Sequence, residues 1–374
     1  MLIIDQTVLK PDQDAGSRCT MSTVIAFREA GWAVYLWPHD RSFGGRYTAD
    51  LEAVGVCVLD ARQQGGLGDW LRQFGPGLDH VALSRPRIAQ DALPDVLRWV
   101  TCRISFMGHD LHFARQGLKA TQLDDPLLQH EADRFLALER SIWRVVDVVL
   151  YLSEDEAAVV RELEPGVEAR VLTPYAFDAF QARPAPPPGH GLLFIGGFAH
   201  SPNEDAVVWF VTDILPIIRQ SIPNARLKVV GSAAPHSIRA LPLGAVELVG
   251  QISDEELATA YDTARVIVAP LRFGAGVKGK VVEALAKGVP LVTSTVGAQG
   301  IPGLATFVPV HDDPRAIAAA IVTLLHDDRA WIAQSSAQAA YAQSHYSRQA
   351  LRRSLFAAVT PPRFDTSPDL IHQM

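Results

Sequence analysis

Two series of short, uninterrupted apolar runs, divided by one proline-rich stretch, constrain this chain more than any other feature. The first series is LIID (2–5), AVYLWP (33–38), VCVLD (56–60), HVALS (80–84), RISFM (103–107), VVLYLS (148–153) and ARVLTP (169–174). Amphipathic segments lie between several of them, among them MSTVIAFREAG (21–31) and EADRFLALERSIWRVVD (131–147). Strands that are apolar on both faces and alternate with helices belong to a parallel sheet covered on both sides. QARPAPPPGHG (181–191) suits neither a sheet interior nor a helix and reads as a domain linker. The alternation then restarts with LLFIGG (192–197), a helix over 203–220, RLKVVGS (226–232), VELVG (246–250), a helix from Ser253, RVIVAP (265–270), PLVTS (290–294) and a helix over 313–326. The predicted fold is α/β, with two Rossmann-like doubly wound domains facing a cleft. Ligands of open parallel sheets bind beyond the carboxyl ends of the strands, so the chemistry is expected at strand ends along that cleft.

The chain has 374 residues, enough for two cores, and a formal net charge of −7, which argues against a general electrostatic grip on nucleic acid. Its three cysteines, Cys19, Cys57 and Cys102, show no CxxC spacing and read as buried thiols in a reducing compartment. The start, MLIIDQTVLKPDQDAG, is apolar for four residues and has no basic leader, so neither a secretory signal nor a membrane span is expected there. The location expected is cytoplasmic.

One segment holds most of the chemistry. RFGAGVKGKVVEALAKGVPLV (272–292) follows a strand and leads into a helix with Val281, Val282, Leu285 and Ala286 at helical spacing. A glycine-containing turn at a helix N-terminus offers unpaired N–H groups and partial positive charge, and Arg272, Lys278 and Lys280 add more. A diphosphate fits such a turn. The plainer alternative is a tight strand-to-helix turn with solvated lysines, in which Glu283 pairs on the surface with Lys280 and Lys287.

LRFGAGVKGKVVEALAKGVPLVTSTVGAQGI (271–301) resembles the donor-binding segment of GT-B fold glycosyltransferases, in particular those similar to glycosyltransferase family 4. The resemblance extends upstream through LLFIGGFAHSPNEDAVVWFVTDILPIIRQSIPNARLKVVGS and, more loosely, to HDLHFARQ (109–116). It implies a retaining, metal-independent hexosyl- or deoxyhexosyltransferase of surface polysaccharide biosynthesis, which takes a nucleotide-sugar donor as substrate and needs no cofactor. The acceptor would be a glycan, a glycolipid or a protein-linked acceptor. The implied layout is a first, acceptor-side domain over 1–182, a donor domain over 190–345, and a segment 346–374 returning to the first domain.

Carried over by position, the second of the family's two spaced glutamates is Glu283, a ribose ligand, while the first falls on Ala275 and is absent. Gly274, Ala275, Gly276 and Val277 would then reach the donor through backbone groups. After the first strand of the second domain, where relatives often place cations, GGFAHSPNE offers Gly197 and only His200. The diphosphate would pass to Lys278, Lys280 or Arg272. His109, at the end of a first-domain strand, is the candidate against the donor sugar, and His112 a weaker one. PDQDAGSR (11–18) resembles the loop near the donor phosphate, which makes Gly16, Ser17 and Arg18 contacts. Asp12-Gln13-Asp14 spells DxD without supporting ligands, and no metal site is expected from it. The catalytic set is thus His109, Lys278 and Glu283.

Three rivals share parts of this pattern. They are a sugar-nucleotide epimerase or hydrolase of the same fold, a nicotinamide dehydrogenase (disfavoured because no GxGxxG follows a strand) and a non-catalytic nucleotide-sugar-binding subunit. The segment 131–147, with Arg134, Arg140 and Arg144 beside Phe135, Leu138, Ile142 and Trp143, has two readings: peripheral contact with anionic lipid at the inner membrane face, or a packed helix with solvated arginines.

Overall fold

The computed structural model describes residues 1–359 apart from 14 and 243, and leaves the side chains of 122 and 123 undescribed. The tail 360–374, which completes the expected returning segment, lies outside the described residues.

The first sheet contains β1 (Leu2–Asp5), β2 (Val34–Pro38), β3 (Val56–Val58), β4 (His80–Ser84), β5 (Arg103–Met107), β6 (Val148–Tyr151) and β7 (Ala169–Val171). The second contains β8 (Gly191–Ile195), β9 (Arg226–Val230), β10 (Val246–Gly250), β11 (Val266–Ala269) and β12 (Leu291–Thr293). Strand orders are β3-β2-β1-β4-β5-β6-β7 and β10-β9-β8-β11-β12. Every pairing is parallel. Chain direction across each sheet reverses once, between β1 and β4 and between β8 and β11, and these are the two switch points where such sheets open a crevice.

Side chains alternate across each strand, so each sheet feeds two cores. Leu2 and Ile4 pack with Trp143 and Tyr151, whereas Ile3 faces Val24, Phe27, Leu351 and Leu355. In the second domain Leu192 and Phe194 meet Phe210, Ile214 and Trp331, while Leu193 meets Val281 and Leu285. The helix Arg348–Val359 therefore covers the first sheet, although the helix Asp328–Tyr346 before it packs with the second domain. Thr173 and Ser354 hydrogen-bond where it lands.

The proline-rich stretch is tied down at its start. Gln181 N–H donates to Ala286 O at 3.0 Å, and Arg183 reaches Ser335 Oγ and Lys287 O. Gly288, at φ 60°, permits the approach, because a Cβ there would lie 1.7 Å from Gln181 O.

Several expectations are corrected by packing. The helix expected over 203–220 is Ser201–Trp209, a π turn over Phe210–Ile214 and Leu215–Ser221; Pro216, which has no N–H to give, sits where the regular ladder resumes. The segment 131–147 is the helix Pro126–Trp143, started by the Asp125 carboxylate on the N–H groups of Leu127 and Leu128. Its Phe135, Ile142 and Trp143 are buried, and both Arg140 and Arg144 bind Glu164. Buried thiols hold for Cys19 alone: Cys57 is exposed because it points outward from edge strand β3, and Cys102 is half-buried. No helix among the described residues is long and apolar enough to cross a membrane.

Candidate functional site

The first-domain wall is built at the ends of β1, β4 and β5. Asp5, which ends β1, is buried and accepts hydrogen bonds from Arg85 Nε at 3.1 Å and Thr20 Oγ1 at 3.3 Å. Beyond β5, Gly108 lies flush against Tyr151, where a Cβ would come within 2.2 Å of the ring. His109 then takes a left-handed conformation, φ 62°, and its Nε2 lies 2.8 Å from Ser84 Oγ at the end of β4. A non-glycine residue in this region costs energy that its surroundings must offset. Just beyond this turn the buried Glu139 carboxylate accepts the N–H groups of Phe113 and His112 and the Tyr151 hydroxyl. Burial raises the Glu139 pKa against those hydrogen bonds.

Asp110, next in the turn, binds Arg115 Nη1 at 2.6 Å and lies 3.0 Å from His112 Nδ1. Burial alone would raise its pKa, but hydrogen bonding to His112 and the charges of His112, Arg115 and His109 hold it below the usual value. Glu156 lies behind it, in the first turn of the helix Glu154–Leu163, and accepts from Ser153 Oγ at 2.8 Å. Burial, with the neighbouring Asp110 charge, pushes Glu156 up to about 7.

The second-domain wall begins where β8 gives way to Gly196–Gly197 and where β11 runs into residues 270–279. Gly274 and Gly276 have φ of 126° and 72°, so the loop folds back on itself before the helix Gly279–Lys287. Lys278 precedes that helix, and its Nζ donates to Gly276 O at 2.5 Å and Gln299 Oε1 at 3.2 Å. Burial lowers its pKa to about 8, against the raising charges of Glu156 and Asp110. Lys280, in the first turn, donates from Nζ to Asn203 Oδ1 at 2.5 Å and lies 4.3 Å from the Phe194 ring centroid. A Cβ on Gly196 would fall 2.5 Å from Nζ, so the ammonium points into the turn after β8. Burial, and secondarily the charge of Lys278, lower Lys280 to about 7.

Glu283, one turn further on, does not pair with Lys280. It faces Arg18 of the first domain, 3.9 Å from Nη1 to Oε2, and lies against buried Tyr261. Burial raises its pKa, and the charges of Arg18 and Lys287 oppose the rise.

The two walls meet. A Cβ on Gly276 would lie 3.8 Å from both Asp110 Cβ and Glu156 Oε1, and one on Gly300 would lie 2.8 Å from Ser153 Cβ. Lys278, Gly276 and the turn carrying His109 thus form one group, Lys280 with Gly196 and Asn203 a second, and Arg18 with Glu283 a third.

Several of the remaining sequence candidates lie away from these three groups. Arg272 is turned to Asp205, 2.8 Å from Nε to Oδ2, and lies over Trp209. Val277 is buried with Val281. Residues 11–18 are not all loop, since a helix spans Ala15–Glu29 and puts Gly16, Ser17 and Arg18 in its first turn. Ala275 lies between the two glycines. His112 packs near Phe135, and His200 precedes the helix Ser201–Trp209 without capping it through its side chain. Asp12 is spent on Arg46 and Tyr47, and Asp14 lies outside the described residues. Among the described residues no group of three or more His, Cys, Asp or Glu could hold a metal ion.

Asp110, Asn203, Glu156 and Gln299 escaped the sequence reading. Glu156 did carry a signal, the Ser-x-x-Glu spacing from Ser153, but that spacing also marks an ordinary helix start.

Two doubly wound domains with their switch points opposed define the GT-B class of fold. Comparison with known proteins agrees. A family model described as "Glycosyl transferases group 1" matches residues 189–327, the whole second sheet but well under half of the chain. Sucrose-phosphate synthase from Thermosynechococcus elongatus superposes with a TM-score of 0.68 at 18% identity, over 96% of this chain and 99% of that one. HepE from Anabaena, solved in complex with UDP and glucose, gives 0.68 at 13% identity over 95% and 98%. At these identities the likeness is one of fold. A Klebsiella pneumoniae protein, "Uncharacterized 44.6 kDa protein in cps region", is 25% identical over 165 residues. The match takes in 41% of this chain and 40% of that relative, so the chain spans less than half of the curated protein's length.

Proposed function

We propose that this protein is a glycosyltransferase that moves a sugar from a nucleoside diphosphate sugar to a glycan, glycolipid or protein-linked acceptor with retention of anomeric configuration. One observation carries the reading. Lys280 is half-buried in the first turn of a helix, its ammonium aimed into the glycine turn after β8 and donating to the Asn203 amide oxygen. Burying an ammonium in that way is costly, and a diphosphate offsets the cost. The group 1 match over the same residues and the UDP bound in HepE support it.

The chemistry follows from the walls. The anomeric C–O bond breaks with its electron pair passing to the diphosphate oxygen, whose charge Lys280 and the N–H groups of residues 277–280 stabilise. The oxocarbenium-like sugar lies between the Gly274–Gly276 backbone and the His109 turn, and Glu283 holds the ribose hydroxyls. An acceptor hydroxyl enters from the leaving-group side, its oxygen bonds to the anomeric carbon, and its proton passes to the departing phosphate oxygen. No step in this scheme requires a metal ion. The relative's "cps region" label supports a role in surface polysaccharide synthesis, with the protein in the cytoplasm or peripheral to the inner membrane face.

A thermal-shift panel of nucleoside diphosphates and their sugars, followed by NMR of the product's anomeric centre, tests this proposal. Stabilisation by one nucleoside diphosphate and a retained anomer are expected. An inverted product, or no stabilisation by any of them, contradicts it.

A further inference from the structure

We propose that the acceptor binds in the cavity between the first-domain helix His112–Leu123 and the loop 271–276, and that this cavity selects an uncharged glycan. The inference rests on the glycosyl-transfer reading above and adds where the second substrate lies and what chemistry it has.

The cavity measures ≈ 540 Å³, within the range of small-molecule sites and roomy enough for a short saccharide. Both domains contribute to it: Leu118 and Thr121 come from the helix, and Phe273 and Gly274 from the loop. Its position is fixed by two shared residues. Gly274 begins the backbone turn whose other glycine, Gly276, meets Asp110 beside His109. Gln299 lines the cavity and also accepts from Lys278 Nζ. A ligand there abuts the turn that holds the transferred sugar.

The lining matches a carbohydrate. Leu118 is 54% exposed and, with Phe273 and Val296, presents apolar surface for the C–H faces of sugar rings. Thr121 and Gln299 supply hydroxyl and amide groups for ring hydroxyls. Arg272 adds donors but not net charge, because Asp205 grips its guanidinium by two hydrogen bonds. An arginine matched in this way does not favour phosphate or carboxylate. Lys280 nearby, which has no carboxylate partner among the described residues and donates to the Asn203 amide, is the opposite case.

The test uses the full chain with its stabilising nucleoside diphosphate sugar and a panel of p-nitrophenyl mono- and disaccharides, neutral, uronic and phosphorylated. Transfer to glycoside and hydrolysis of donor by water are measured together. Leu118→Trp fills the cavity, and Phe273→Leu removes the flat face while nearly preserving volume. Both are expected to raise the KM for neutral glycosides about 10-fold or more while leaving donor hydrolysis within about 2-fold of the parent. An unchanged glycoside KM in both variants overturns the proposal, as does a preference for the charged glycosides or a parent chain that uses no glycoside. A parent that neither binds nor hydrolyses any donor overturns the glycosyl-transfer reading itself, and this inference with it.

Discussion

Lys280 Nζ reaches 77 residues back to Asn203 Oδ1, at 2.5 Å, and so ties the helix Gly279–Lys287 to the first turn of the helix Ser201–Trp209 beyond β8, at the second domain's switch point. This contact sets the glycine-lysine pattern against the end of β8, with consequences for stability as well as for the proposed binding.

Burial lowers Lys280 to about 7 from its ordinary value of 10.5. The folded state therefore binds its proton less tightly than the unfolded state does. With a lowered folded value, this lysine's penalty is absent above 10.5 and grows as pH falls toward 7. Lys280→Met should accordingly raise the melting temperature of the ligand-free protein at pH 7, by about 2 °C or more. A lower melting temperature would show that the ammonium stabilises the empty fold.

Binding of the diphosphate favours protonated Lys280 and Lys278, whose values are about 7 and 8. Affinity for a nucleoside diphosphate should weaken as pH rises from 7 to 9, with proton uptake on binding. Calorimetry at pH 8 in two buffers of different ionisation enthalpy measures that uptake directly. Equal heats in the two buffers would count against it.

His109→Ala should lower turnover by about 10²-fold while nucleoside diphosphate affinity stays within about 2-fold of the parent, since the proposed function puts the turn against the sugar and Lys280 against the diphosphate. Steady-state kinetics paired with calorimetry separate the two quantities. A parallel loss of both would make His109 a structural residue of its strained turn.

Glu156 has a raised value, about 7. A carboxyl held above its unfolded value of 4.5 contributes stability that is complete below 4.5 and is lost as pH rises through 7. Glu156→Gln should flatten the decline in melting temperature between pH 5 and 8. An unchanged slope would mean that the group is ionised throughout that range.

Truncation after His345 removes the helix Arg348–Val359, whose Leu351 and Leu355 pack beside Ile3 and Phe27. The first domain should lose its cooperative melting transition, and transfer should cease. Retained activity in the truncated chain would contradict the packing.

The doubly wound folds were legible because fully buried strands such as HVALS and VIVA leave no polar face to confuse with anything else. Helix boundaries were less so. Pro216 and Asp125 act through backbone hydrogen bonds that hydrophobic spacing does not report. Within the site, the glycine-lysine loop stood out because glycine and charge cluster there in sequence. Asp110, Asn203 and Glu156 did not, since each gains its place only when strand ends far apart in the chain come together. The plainer alternative, a surface trio of Lys280, Glu283 and Lys287, marks the limit of helical spacing: Lys280 turns to Asn203 and Glu283 faces Arg18, while the Lys287 charge still acts on Glu283.

The central claim is that Lys280 holds the diphosphate of a nucleotide sugar. Its most direct test is a calorimetric titration of the parent and Lys280→Met with the most stabilising nucleoside diphosphate and with the matching free nucleoside. The parent should bind the diphosphate far more tightly than the nucleoside, and Lys280→Met should lose about 10- to 100-fold in diphosphate affinity with the nucleoside unchanged, as expected for one charge-assisted contact. Equal diphosphate affinity in the two proteins would contradict the account.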